Sequence, residues 1–268
     1  MLYTVSNKRM KLEEWKMKMS ETAKKNHDEL FPRHVSILAE KDPEFIEVFD
    51  NFAFDEVLQY TSLDVKERQK VLLAALIAMQ CVNEFKAMAK GALNVGVTPI
   101  ELKEIVYQAV PYAGLGKVFD FLHAANEVLE ERGITLPLEG QSTTTVENRF
   151  EKGLEIVREA AGNTVDNMLD TMPQNQKHFA TFLADNCFGD FFTRSGLSIQ
   201  ERELLIFTML ASMGGAEPQM KGHIRNNLRV GNDKQKLLDT ITVLLPFIGY
   251  PRTLTALNCL NEVAPEES

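Results

Sequence analysis

The sequence predicts an all-α protein in which one helical unit is written twice in tandem, the copies related by pseudo-symmetry. The first observation is a repeated string. Leu63-Asp64-Val65-Lys66-Glu67-Arg68, an apolar helix, Lys86, Gly96 and Pro111-Tyr112-Ala113-Gly114 return as Leu197-Ser198-Ile199-Gln200-Glu201-Arg202, an apolar helix, Lys221, Gly231 and Pro246-Phe247-Ile248-Gly249. The spacing is kept except for one residue inserted ahead of the second lysine. Self-similarity on this scale marks a duplicated supersecondary unit. The second observation is that helix start and stop signals recur at matching places in both copies, whereas strand signals are scarce.

Each element follows from its own residues. The opening stretch mixes lysines and glutamates with Trp15, Met17 and Met19, and reads as a helical lead-in over residues 1–35. Asp64-x-x-Glu67 and Ser198-x-x-Glu201 are capping boxes: the first side chain accepts from a free backbone N–H and the glutamate reaches back. They open Val71 to Met79 and Leu204 to Met213, which are apolar on nearly every face, as central buried helices are. Gly96 and Gly231 read as left-handed terminators of the helices that precede them. Thr98-Pro99-Ile100-Glu101 starts the following helix with proline at its first position, and Asp233-Lys234-Gln235-Lys236 keeps only the capping side chain. Pro111 and Pro246 are expected to kink or end those helices. Gly114 and Gly116, and Gly249 ahead of Pro251, interrupt the chain before the last helix of each unit. Residues 133–146 are polar, Thr-rich and punctuated by Gly and Pro, a linker composition that divides a first unit at 36–132 from a second at 147–268.

The formal net charge of -9 excludes the basic face that nucleic-acid binding needs. No apolar run is long enough to cross a bilayer and no signal-type h-region opens the chain, so a cytoplasmic protein is expected. Cys81, Cys187 and Cys259 are odd in number with no paired spacing, and read as reduced thiols. There is no Walker loop, dinucleotide fingerprint or zinc spacing, and His27, His34, His123 and His178 are scattered, so neither cofactor nor metal is expected. One titratable group stands apart. His223 occupies the second copy where the first has Met88, and an imidazole on an otherwise apolar helix is a candidate for proton transfer.

The residues around that histidine carry a family likeness. Lys221-Gly222-His223-Ile224-Arg225-Asn226-Asn227-Leu228-Arg229-Val230-Gly231 resembles the helix motif of the carboxymuconolactone decarboxylase family. The stretch from Lys86 to Pro99 resembles it too, most closely in Ala92-Leu93-Asn94-Val95-Gly96-Val97-Thr98-Pro99. The Glu-Arg pair with its apolar helix, Tyr112-Ala113-Gly114, and Phe188-Gly189-Asp190-Phe191-Phe192 are similar to the same family, and the likeness runs from Phe45 to the C-terminus apart from the linker. It implies the all-helical fold of the alkylhydroperoxidase AhpD. It also implies homo-oligomers, here a trimer of two-unit chains that mimics a hexamer of single units. Two chemistries belong to such a family, lactone decarboxylation and thiol-dependent peroxide reduction.

The peroxidase pattern is Cys-x-x-Cys followed after three residues by His, which brings thiols and base together on one helix. Aligned on Met88, the first copy offers Cys81, Glu84 and Met88; the second offers Ala216, Gln219 and His223. Neither is complete. A decarboxylase needs a cation for its carboxylated substrate and a proton donor for the carbon that loses carbon dioxide. The resemblance implies His223 as donor, Asp190 to orient it and Arg225 or Arg202 as anion clamp. Arg202 and Glu201 at substrate-binding positions fit a cap or an inter-helix salt bridge as well. The first unit keeps Glu56, Arg68 and Lys86 without the histidine, and is expected to be architectural, the pocket lying around the second unit or between the two. The expected function is cofactor-free acid–base chemistry on a small carboxylated, lactone-type substrate. The alternatives are a thiol-dependent peroxide reductase and a non-catalytic scaffold.

Overall fold

Helices form where the caps and glycines place them. The structure, a computed structural model, describes residues 19–32 and 36–266; Trp15, Met17 and His34 lie outside the described residues. Among the described residues there is no strand. The first half runs α1 (Glu21–Leu30), the short α2 (Leu38–Lys41), α3 (Pro43–Asn51), a widened π turn (Phe52–Glu56) and a 3-10 turn (Val57–Tyr60). It continues with α4 (Val65–Ala78), α5 (Val82–Asn94), α6 (Pro99–Ala113) and α7 (Leu115–Glu131). The second half repeats this plan with α8 (Arg149–Ala161), α9 (Thr164–Thr171), α10 (Lys177–Phe182) and a π segment (Leu183–Phe192). It closes with α11 (Ile199–Met213), α12 (Glu217–Arg229), α13 (Lys234–Ile248) and α14 (Tyr250–Val263).

Asp64, Thr98 and Ser198 all close capping boxes, and Asp233 accepts from the Lys236 N–H at 2.7 Å. Gly96 and Gly231 take φ values of 93° and 98°, as terminators in the left-handed region do. The two prolines do less than expected. Pro111 and Pro246 sit in the last turns of α6 and α13, and each helix runs on to a glycine of positive φ, Gly114 or Gly249. A proline this late removes one hydrogen bond from a turn already ending, so the glycine sets the stop.

The central helices are α4 and α11, which pack on each other and are buried along nearly their whole apolar runs. Each fully buried Leu, Ile or Phe there contributes roughly 1.5–3 kcal/mol. The next long helix of each half bridges the two: α6 lies against both α4 and α11, and α13 lies mainly against α4. One hydrophobic core therefore runs through both halves. The lead-in helix α1 packs on the π turn of the first half as α8 packs on the π segment of the second. That latter contact is close. A Cβ on Gly153 would lie 1.9 Å from the Ala184 carbonyl oxygen, and one on Gly189 would lie 2.3 Å from that of Arg149. The stretch read as a linker is held down: Ile134, Leu136 and Leu138 pack on the core, and Thr143 and Thr144 donate to the Thr193 and Gly189 carbonyls at 2.8 Å each.

Candidate active site

His223 lies on α12 against the N-terminal part of α11, with its side chain only 15% exposed. Its Nδ1 is 2.7 Å from Oε2 of Glu203, whose side chain is fully buried. A carboxylate only accepts, so Nδ1–H donates to it and Nε2 carries the lone pair. Asn226 reaches the other oxygen of Glu203 at 3.4 Å. Asn227, fully buried, ties the helices together by donating to the Glu203 carbonyl at 2.9 Å and the His223 carbonyl at 2.7 Å. Glu203 comes one residue after Arg202 in the capped helix, a register that turns it inward beneath α12.

The wall of this site comes from the other half of the chain. Tyr112, in the last turn of α6, sets its ring edge-on to His223 with centroids 5.4 Å apart. Its hydroxyl is 3.9 Å from Sγ of Cys187, in the π segment. Such widened turns redirect side chains and are common at functional sites. Burial pushes the Cys187 thiol up to about 12, the nearby Glu203 charge adding to the effect and the Tyr112 hydrogen bond opposing it. Burial likewise raises the Tyr112 phenol, with Cys187 and Glu203 adding to the shift. This is an environment that keeps a thiol protonated, the reverse of what activates a peroxidatic cysteine. Cys81 is partly buried at the start of α5, and Cys259 is buried on α14, its thiol raised chiefly by burial.

The other residues singled out from the sequence are placed differently. Asp190 does not reach the imidazole; it accepts from Arg149 at 2.8 Å and Asn186 at 3.0 Å, and Glu203 holds the histidine instead. Arg202 is buried and committed, donating to Gln108 at 2.8 Å, Glu104 at 3.0 Å and the carbonyls of Arg194 and Ser195. Its forked guanidinium is used as a strut and offers no clamp. Glu201 closes the α11 cap and accepts from Lys70 at 2.5 Å. Arg225 is exposed and meets only the Lys221 carbonyl, at 3.4 Å, among the described residues; two positions along the helix put it on another face than His223. The geometry thus groups His223 with Glu203, Tyr112 and Cys187.

The first half carries a stripped version of the same site. Gln69 stands at the place of Glu203 and Met88 at the place of His223, so acid and imidazole are replaced together. Gln69 is buried with its Oε1 unpaired. Around Met88 the first half nonetheless opens a cavity of about 810 Å³, to which Phe247 of the other half contributes as Tyr112 does to the His223 site. The sequence places an open space around the second unit or between the two; this one lies mainly in the first half, with Pro246 and Phe247 of the second on its wall. Among the described residues no cluster of His, Cys, Asp and Glu is arranged to hold a metal, and no helix is long and apolar enough to cross a membrane.

Comparison with known proteins agrees with the duplicated plan. The carboxymuconolactone decarboxylase family model matches residues 43–127 and again 177–262. The chain is 33% identical over 106 residues to a 4-carboxymuconolactone decarboxylase from Acinetobacter baylyi, covering 38% of this chain and 79% of that protein. It is 34% identical over 68 residues to a nitrosuccinic acid decarboxylase from Metarhizium robertsii, covering 25% of this chain and 48% of that one. Among solved structures, a Burkholderia xenovorans protein provisionally named a gamma-carboxymuconolactone decarboxylase subunit superposes with a TM-score of 0.52 at 23% identity. That superposition covers 88% of this chain and 95% of the other, and shows the shared fold. With the family pattern matched in both halves and over more than half of its length, the chain belongs to the carboxymuconolactone decarboxylase family.

Proposed function

We propose that the protein is a cofactor-free decarboxylase acting on a small carboxylated, lactone-type substrate, with His223 moving the proton and Glu203 holding the imidazole. The observation that carries this reading is the 2.7 Å contact between His223 Nδ1 and a fully buried carboxylate. The pair fixes one tautomer, points Nε2 away from the acid, and stabilises the imidazolium once formed. In the reaction the bond from carbon to the substrate carboxylate breaks and carbon dioxide leaves. The electron pair stays on the substrate, delocalised toward the lactone carbonyl, and the imidazolium Nε2–H delivers the proton to carbon. The proton is taken up from solvent at Nε2 before the step, forming that imidazolium, and its delivery returns the neutral imidazole with the lone pair on Nε2. Tyr112 walls the imidazole and, with its buried surroundings, keeps bulk water from the developing carbanion. Names of relatives support the reaction class, since two of them are decarboxylases.

The test is turnover of γ-carboxymuconolactone by the purified protein beside His223→Ala. The expected loss is roughly 10²–10⁴-fold in kcat/KM, the range of a positioned acid–base group. No turnover by the parent protein sinks the substrate assignment. Thiol-dependent consumption of a peroxide by the same preparation would then establish the redox alternative, and binding without turnover the scaffold.

We also propose that the chain self-associates, as a trimer presenting six units. Its support is a repeated exposed apolar pair: Phe45 and Val48 are 60% and 71% exposed, and Phe179 and Phe182, at the matching places in the second half, are 59% and 60% exposed. Large apolar residues at recurrent exposed positions mark an interaction surface. Light scattering after gel filtration is expected to give three chains, and Phe179→Asp a smaller particle. A monomer at all concentrations contradicts this.

A further inference from the structure

The cavity in the first half lies where His223 lies in the second, yet its chemistry is new and not merely reduced. Its walls are aromatic. Phe49 stands edge-on to Phe54 at 6.3 Å and to Phe247 at 5.9 Å, and Phe31 adds a further ring. Beneath them lies Asp50, on α3 and only 7% exposed. Among the described residues no hydrogen bond is made to its carboxylate. Aligning the repeated segments on Phe54 and Phe188 puts Ala184 at the place of Asp50, so this acid belongs to the first half alone. Two cations, Lys86 and Lys90, stand at the rim, but each is paired outward, with Glu127 at 2.5 Å and Glu131 at 2.6 Å.

We propose that this cavity is a binding site for a small organic cation, an aryl- or alkylammonium whose charge meets Asp50 and whose body lies against the phenylalanine rings. Ring faces attract cations, most strongly where water is excluded. A largely buried carboxylate that makes no hydrogen bond is unfavourable, and a bound ammonium supplies both an opposite charge and the hydrogen bond. Burial raises the Asp50 carboxyl, and the opposing influence of His27, on α1, is the smaller of the two. The volume is in the range of sites that enclose a small ligand. A carboxylated ligand of the kind assigned to the His223 site would be repelled here, so the two halves would sort ligands by sign of charge.

Isothermal titration calorimetry of the full chain with phenethylamine, 2-phenylethanol and 3-phenylpropionate at neutral pH tests this. One phenethylamine is expected per chain, bound about tenfold or more tightly than the neutral alcohol or the acid. Asp50→Asn, nearly isosteric, is expected to abolish that preference, and His223→Ala to leave it intact. Ala87→Trp, at the exposed rim, is expected to block the amine while the far-UV spectrum and melting curve stay those of the parent. The proposal is overturned if the amine does not bind, if the alcohol or acid binds as well, if Asp50→Asn keeps the preference, or if Ala87→Trp still binds.

Discussion

At the scale of single residues, the proposed chemistry rests on the pairing of Glu203 with His223, where the first half has Gln69 and Met88. Glu203→Gln keeps the shape of the side chain but removes the charge that stabilises an imidazolium. It is expected to lower kcat by roughly 10²-fold or more with little change in KM, measured on whichever lactone acid is turned over. A thiol raised to about 12 makes a second prediction. Native protein at pH 8 should show no alkylation of Cys187 by iodoacetamide in peptide mass spectra, and full alkylation after unfolding. The same shift sets an alkaline limit. The folded state keeps this proton longer than the unfolded one, so stability is lost as pH rises from the ordinary thiol value of 9.0 toward about 12. His223 was legible in the sequence because the copies differ there. Glu203 was equally exposed to that comparison, since Gln69 differs from it in the same way, but it hides beside Arg202 in a string that reads as a helix start. Asp190 stands out in the sequence through its family position, whereas its pairing with Arg149, 41 residues away, has no local signal.

At the scale of elements, caps and glycines were readable and cross-helix struts were not. Short-range signals act within one turn, so Asp64, Thr98, Ser198 and Asp233 declare themselves in sequence. Arg202 meets Glu104 across nearly a hundred residues, and nothing local announces that contact. Both side chains are only 1% exposed, and Arg194 also pairs with Glu104 at 2.9 Å. Removing one member strands a buried charge. Arg202→Met is therefore expected to destabilise the fold by about 3–5 kcal/mol in urea unfolding, and Glu104→Leu combined with it to recover much of the loss. Purely local effects should be smaller, with Ser198→Ala lowering stability by ~1 kcal/mol. Gly153 and Gly189 belong to the contact of α8 with the π segment, where a methyl would meet backbone. Neither showed itself in sequence as a packing residue, because its constraint is set by a distant carbonyl.

At the scale of the whole molecule, the duplication was visible in full, but the packing of α6 and α13 across the two halves was not. A repeat in sequence is silent about which copy a helix packs against. Charge adds to the packing across halves: Lys70, which pairs within its own half with Glu101 at 2.7 Å, also reaches Glu201 at 2.5 Å, and Lys236 meets Glu67 at 2.6 Å. Burial alone would raise Glu101, but hydrogen bonds from Lys70, the Thr98 backbone and Lys66 outweigh it and bring it down to about 2. A lowered carboxyl supports the fold above its ordinary value of 4.5 and withdraws that support as pH falls toward about 2. Acid unfolding monitored by circular dichroism should therefore shift to higher pH in Lys70→Met.

Tyr112 from the first half walls the histidine of the second, and Phe247 from the second walls the cavity of the first. Neither half is then a self-sufficient module. If the chain is cut within residues 133–146 and the two fragments are made separately, each should lack a wall of its own pocket and be poorly soluble. Co-expressed, they should find one another and co-purify as a folded complex. Two copies of one part, written one after the other in the sequence, are in this arrangement a single indivisible one.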